Sequence, residues 1–158
     1  MNTDMKRRVF LKGSLAASTM AVAAGAGLLT PQAVMAAWPK DAFHAKASDA
    51  ALSGIFGSGK TEASDKIKIK APDIAENGAV VPVTVTSSIP GVESIAIMAS
   101  ANPTPLVAVF NLGKSTAADV STRIKMGKTG DVVAVIKAGG KLYANRKSVK
   151  VTIGGCGG

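Results

Sequence analysis

One cysteine, one histidine, one tryptophan and one tyrosine are spread over 158 residues, and aromatic residues make up only 4% of the chain. A single histidine, His44, cannot build a histidine-based metal set, and nothing near it pairs it with a thiol. Few aromatics lie between the lysines, so the stacking platforms of a nucleic-acid binder are missing and nucleic acid is not expected as a partner. A long apolar run is missing as well. Gly13 to Leu29 is rich in alanine and glycine, too short and too weakly hydrophobic for a membrane span. One cysteine also excludes an internal disulfide, so the thiol must pair with another molecule, carry a group or stay free.

That apolar stretch follows Lys6-Arg7-Arg8-Val9-Phe10-Leu11-Lys12 and leads to Val34-Met35-Ala36, with small residues where a signal peptidase reads. Basic, apolar and small-residue regions in this order form a twin-arginine export signal marked by Arg7 and Arg8, with cleavage expected after Ala36. Residues 1–36 are therefore read as leader, and the exported chain is expected in the periplasm with no membrane attachment. Twin-arginine export carries folded proteins. The full chain has net charge +9, of which the leader holds +3, leaving a moderately basic domain that is long enough for one core. Its lysines, among them Lys66, Lys68, Lys70, Lys125, Lys128, Lys137, Lys147 and Lys150, are expected to solvate the outer faces of strands.

Asp41 to Phe56 has Phe43, Ala47, Ala50, Ala51 and Leu52 at helical spacing, and Asp41 can cap the start. One helix is expected there. After Gly57 to Gly59 the pattern changes to period two, from Lys66 to Ala71, and about eight strands follow. The others are Ala79 to Thr86, Val92 to Ala99, Leu106 to Leu112, Val120 to Met126, Asp131 to Ala138, Lys141 to Asn145 and Ser148 to Ile153. Gly139-Gly140 signals a tight hairpin, and Pro82 inside a valine run points to an edge or a bulge. Short strands without intervening helices favour an all-β fold: an immunoglobulin-like antiparallel β-sandwich over residues 37–153, preceded by one N-terminal helix.

Gly54-Ile55-Phe56-Gly57-Ser58-Gly59-Lys60-Thr61 satisfies the phosphate-loop expression at every fixed position. The chemistry also needs a strand entering the loop and a helix leaving it, so that backbone amides and the helix dipole face the phosphates. Here a helical pattern precedes the loop and a strand pattern follows, so the match is read as coincidence. Asp73 and Glu76 resemble a spaced carboxylate pair, but they lie in a turn-rich connection and are read as structural.

The last five residues, Gly154-Gly155-Cys156-Gly157-Gly158, set the only thiol between two glycine pairs. A packed cysteine would lie in an apolar run, whereas four neighbours without side chains present this one. Glycine visits both signs of φ freely, and from Ile153 the extended reach is roughly 10 Å, enough to enter another protein's cleft. Residues 154–158 are read as a mobile arm that presents the Cys156 thiol.

This combination resembles the SoxY family, the sulfur-carrier subunits of the thiosulfate-oxidising Sox system. The resemblance rests on the terminal Gly-Gly-Cys-Gly-Gly, the twin-arginine leader, Pro72 to Val83, the Asn102-Pro103 turn, and Thr122-Arg123-Ile124-Lys125-Met126. It implies that Cys156 is the covalent attachment site for sulfur intermediates, with Gly154, Gly155, Gly157 and Gly158 as its arm. It further implies a heterodimer with SoxZ and a cycle in which the c-type haem protein SoxAX joins thiosulfate to the thiol. The dimanganese hydrolase SoxB then releases sulfate, and later sulfur-accepting or sulfur-oxidising proteins take over. No cofactor is expected on this chain itself; haem and dimanganese belong to the partners, and the chain is a carrier, not an enzyme. Two other readings of the same tail stand beside this one. In the first, a secreted interaction module uses Cys156 for a structural intermolecular disulfide. In the second, Gly157-Gly158 is a diglycine carboxylate converted to a thiocarboxylate, which needs cytoplasmic adenylation and conflicts with the leader.

Overall fold

The computed structural model describes residues 39–153. The leader with Arg7 and Arg8, and the arm from Gly154 to Gly158 with Cys156, lie outside the described residues. Two helices, α1 (Lys40–His44) and α2 (Ser48–Phe56), precede nine strands. These are β1 (Glu62–Ala63), β2 (Ile67–Lys70), β3 (Ile74–Asn77), β4 (Val81–Ser87), β5 (Val92–Ala99), β6 (Leu106–Asn111), β7 (Asp119–Ile124), β8 (Gly130–Ala138) and β9 (Lys141–Ile153).

The strands form a sandwich. One sheet has the order β1-β9-β8-β5-β6, with β3 also paired to β9, and the other has the order β2-β4-β7. In the small sheet, alternation is strict. Ile67, Val81, Val83, Val85, Val120 and Ile124 point inward and are buried, whereas Lys68, Lys70, Ser121 and Arg123 point out. Thr84 and Ser121 close a 2.7 Å hydroxyl contact on that outer face. In the large sheet, β5 reads as a continuous apolar run because both of its faces are covered. Ile95, Ile97 and Ala99 face the small sheet; Ala96 and Met98 lie under Ala42, Ala51 and Leu52 of the helices. Burying an isoleucine of this kind contributes roughly 1.5–3 kcal/mol, so the double-sided strand anchors both layers.

The sequence pattern predicts one helix from Asp41 to Phe56, and this segment forms two, separated where Ala45 and Ala47 take extended ψ values of 134° and 138°. The break lets α1 fold back on α2. Asp41 lies in the first turn of α1, whose N-cap is Pro39, so it faces the helix dipole without making a side-chain cap. Pro82 lies in the middle strand of the small sheet, yet β2 reaches only as far as Thr84, so the proline's missing donor falls where no neighbour asks for it. The β4–β7 register runs without a bulge; the shifts occur instead in β5, at Ile97/Met98 and Val92/Ser94. Gly139 and Gly140 have φ of 57° and 76°, the two positive values that a tight turn between Ala138 and Lys141 requires.

The largest departure from the pattern is at β9. Two expected strands are one of 13 residues, paired to β8 from Lys141 to Val149 and, on its other side, running parallel to β1 and β3. Lys141 bonds Glu62 of β1 at 3.2 Å, and that carboxylate raises the lysine above its ordinary pKa.

Candidate functional site

Ile153 is the last described residue, and its surroundings are the root of the arm expected from the sequence. The root is tied down by backbone. The Gly78 N–H donates to the Ile153 carbonyl at 2.8 Å, and the Met126 N–H donates to the Gly78 carbonyl at 2.7 Å. The Val151 N–H donates to Thr129 Oγ1 at 2.9 Å, the Thr129 hydroxyl donates to the Val151 carbonyl at 3.3 Å, and the Thr152 hydroxyl donates to the Glu76 carbonyl. Asn102 braces the neighbouring loops: its Nδ2 donates to the Lys125 carbonyl at 2.8 Å and its Oδ1 accepts from the Gly127 N–H at 2.9 Å. Met126, fully buried, plugs the core beneath them.

β3 completes this root, although its sequence reads as a turn. Asp73, Glu76, Asn77 and Gly78 are poor strand formers, but Ala75 alone points inward and packs in the core, and β9 supplies the pairing Ile74↔Lys150, Ala75↔Val151, Asn77↔Ile153. Of the two carboxylates expected to be structural, Asp73 makes an ion pair. Asp73 pairs with Lys147 at 3.0 Å and its carbonyl accepts the Lys150 N–H, while Glu76 sits outward on β3. His44 is exposed at the end of α1.

Asn102→Ala removes two hydrogen bonds that no neighbour replaces. The expected outcome is a loss of about 1–3 kcal/mol in denaturant unfolding with the fold retained. An unchanged midpoint would show that the loop brace is dispensable.

The phosphate-loop match occupies the wrong elements. Gly54, Ile55 and Phe56 are the last residues of α2, and β1 begins one residue after Thr61. Each glycine has a structural reason, two of close packing and one of backbone conformation. A Cβ on Gly54 would come within 2.9 Å of Ala42 Cβ, and one on Gly59 within 2.8 Å of the Asp49 carbonyl oxygen. Gly57 has φ of 76° and ends α2 by donating its N–H to the Ser53 carbonyl. An open cleft of about 400 Å³ beside Thr61 is lined by Asp49 and Asp131 as well as Arg146, a balance that repels a polyphosphate. Lys60→Ala is therefore expected to change no activity, and calorimetry should detect no ATP or GTP binding at millimolar ligand. Nucleotide affinity that this substitution removes would overturn the assignment.

Fold and root together define a helix-capped, immunoglobulin-like sandwich whose one thiol follows its last strand by three residues. The chain belongs to the SoxY family of sulfur carrier proteins: the family pattern described as sulfur oxidation protein SoxY matches residues 52–156, a span that ends on Cys156. It is similar in structure to the sulfur carrier protein SoxY from Chlorobium limicola f thiosulfatophilum, with 50% identity and a TM-score of 0.61 over 66% of this chain and 96% of that one. A superoxide reductase (neelaredoxin) from Ignicoccus hospitalis matches with a TM-score of 0.51 at 17% identity, over 58% of this chain and 94% of that one, which shows the shared fold alone. No curated sequence matches.

Proposed function

We propose that this chain is a periplasmic covalent carrier that holds thiosulfate-derived sulfur on Cys156 and presents it to the enzymes of thiosulfate oxidation. The observation that carries this reading is the placement of the only thiol. It lies three residues beyond a strand end held by the Gly78 N–H, within a chain of the SoxY family. A firmly held root beside glycines that lack Cβ suits a thiol meant to be handed to others.

Loading joins the Cys156 sulfur to the sulfane sulfur of thiosulfate. An S–S bond forms, the thiol proton is released, and two electrons leave to the haem of SoxAX. Water then cleaves the bond to the sulfonate group in SoxB, sulfate and protons depart, and a persulfide stays on Cys156. A free thiol with a pKa near 8.5 is only a few per cent thiolate at neutral pH, so activation inside the partner's site is part of the reading. In this scheme residues 1–36 with Arg7 and Arg8 direct export, residues 37–153 form the carrier domain, and Gly154, Gly155, Gly157 and Gly158 give the arm its slenderness. SoxZ is the standing heterodimer partner, and haem and dimanganese stay with the enzymes.

The deciding experiment is the intact mass of the protein after incubation with thiosulfate and these partners. A gain of one S2O3 unit in the neutral mass, mapping to Cys156, supports the carrier. Modification of the terminal carboxylate, or a permanent crosslink in all active material on non-reducing electrophoresis, would replace this reading.

A further inference from the structure

The side chains around the arm root break the inward-apolar, outward-polar alternation seen in the small sheet. Among the described residues three large apolar side chains are well exposed, Ile74 at 57%, Val80 at 56% and Ile153 at 61%, and all three lie at this one end. They come from separate segments joined by backbone. Asn77 pairs with Ile153, the Gly78 N–H bonds the Ile153 carbonyl, the Val80 N–H bonds the Asn77 carbonyl, and Ile74 opens β3 opposite Lys150. Ile74 and Ile153 stand three positions apart along the β3–β9 ribbon, about 10 Å, so side-chain alternation puts them on opposite faces. The apolar residues thus ring the ribbon end instead of forming one flat patch. Nothing in the core needs them there, and their shared position at the arm root sets them apart from apolar residues scattered singly over a surface.

Covalent geometry says what must come close. Whatever path Gly154 and Gly155 take, the Cα of Cys156 stays within about 10 Å of that of Ile153. A protein that acts on the thiol inside a cleft therefore has to bring the rim of that cleft onto the ribbon end. We propose that Ile74, Val80 and Ile153 form a collar that seats against the apolar mouth of an arm-accepting cleft in a partner enzyme. The site then contributes docking affinity and depth control in addition to a reactive sulfur. A mouth that encloses the ribbon touches both faces, whereas a second copy of this chain related by a two-fold axis would cover one face and leave the other in water. This inference rests on the carrier reading given above.

Ile74→Thr with Val80→Thr tests it, because both keep the β-branch and neither site is buried. With the proposed hydrolase and thiosulfate-loaded carrier, KM for the carrier should rise tenfold or more while kcat holds. The rate at which iodoacetamide alkylates Cys156 should also stay at its wild-type value. An unchanged KM overturns the collar and leaves the carrier reading intact. Weakened self-association or weakened heterodimer formation with KM unchanged also overturns it, since another protein then occupies the ring. If wild-type protein takes up no sulfur from thiosulfate, the carrier reading fails, and the collar is decided by binding alone. Carbamidomethylated protein with both substitutions should then bind the hydrolase more weakly than the carbamidomethylated wild type, and equal binding overturns the proposal. Should the double variant fail to fold, Val80→Thr alone serves, because Val80 lies outside any strand.

Discussion

Cys156→Ser is expected to abolish sulfur loading and thiosulfate-dependent turnover completely, with the melting temperature and heterodimer formation unchanged. A serine hydroxyl forms no S–S bond and is not ionised near neutral pH, so no residual route exists on this chain, whose only thiol is Cys156. The last described strand ends at Ile153, whose carbonyl has its partner in the Gly78 N–H, and no described core contact involves Cys156, so the substitution is expected to leave the described core intact. Intact mass and oxygen- or cytochrome-coupled turnover give the activity, and differential scanning calorimetry gives the stability. A stability loss of several kcal/mol, the size seen when a buried side chain is truncated, would mean that the cysteine packs and that the arm reading is wrong.

The second large effect is expected from Gly155→Val and Gly157→Val. Each keeps the thiol but adds a β-branched side chain beside it, which narrows the accessible φ/ψ range and widens the tail. Turnover with each partner enzyme should fall on the order of tenfold to a hundredfold, the scale on which about 1 Å of misplacement slows a positioned reaction. Alkylation by iodoacetamide should stay near wild type, because a small reagent needs no defined path. Full turnover with both enzymes would make the glycine pairs incidental. The collar variants differ from these in kind: they alter how tightly the root seats, with the thiol's passage left open.

The parts of this fold that were legible in the sequence are those where one residue type can satisfy only one geometry. Gly139-Gly140 announces its hairpin because few other pairs hold two positive φ values, and the Lys66 to Lys70 alternation announces a strand with one wet face. The antiparallel core strands follow from the same logic. What the sequence conceals are pairings that depend on distant partners. β3 has one inward residue, Ala75, and owes its strand geometry to β9, some 76 positions away at the Thr152–Glu76 bond. The sequence pattern divides β9 after Asn145, with Arg146 and Lys147 between two expected strands. There the Asn145 side chain donates to the Ile67 carbonyl and accepts from the Arg146 N–H, so polar residues are absorbed without ending the strand. Cys156 and its glycines stand out because nothing around them reads as core. The ring of Ile74, Val80 and Ile153 does not stand out, because only the register of β3 on β9 brings it together.

The position of β9 also bears on which chains can fold at all. It is the last described element to leave the ribosome, and it closes the large sheet from both sides, holding β8 along one edge and β1 and β3 along the other. A chain broken off before Asn145 leaves β3 with no partner and most of the β8 edge open, and its sheet cannot be completed by local contacts. Native folding thus acts as a proofreading step for synthesis. Any cellular step that accepts only folded molecules is expected to reject chains broken off before Asn145, whereas a chain that ends between Ile153 and Cys156 keeps every described pairing and would pass without a thiol.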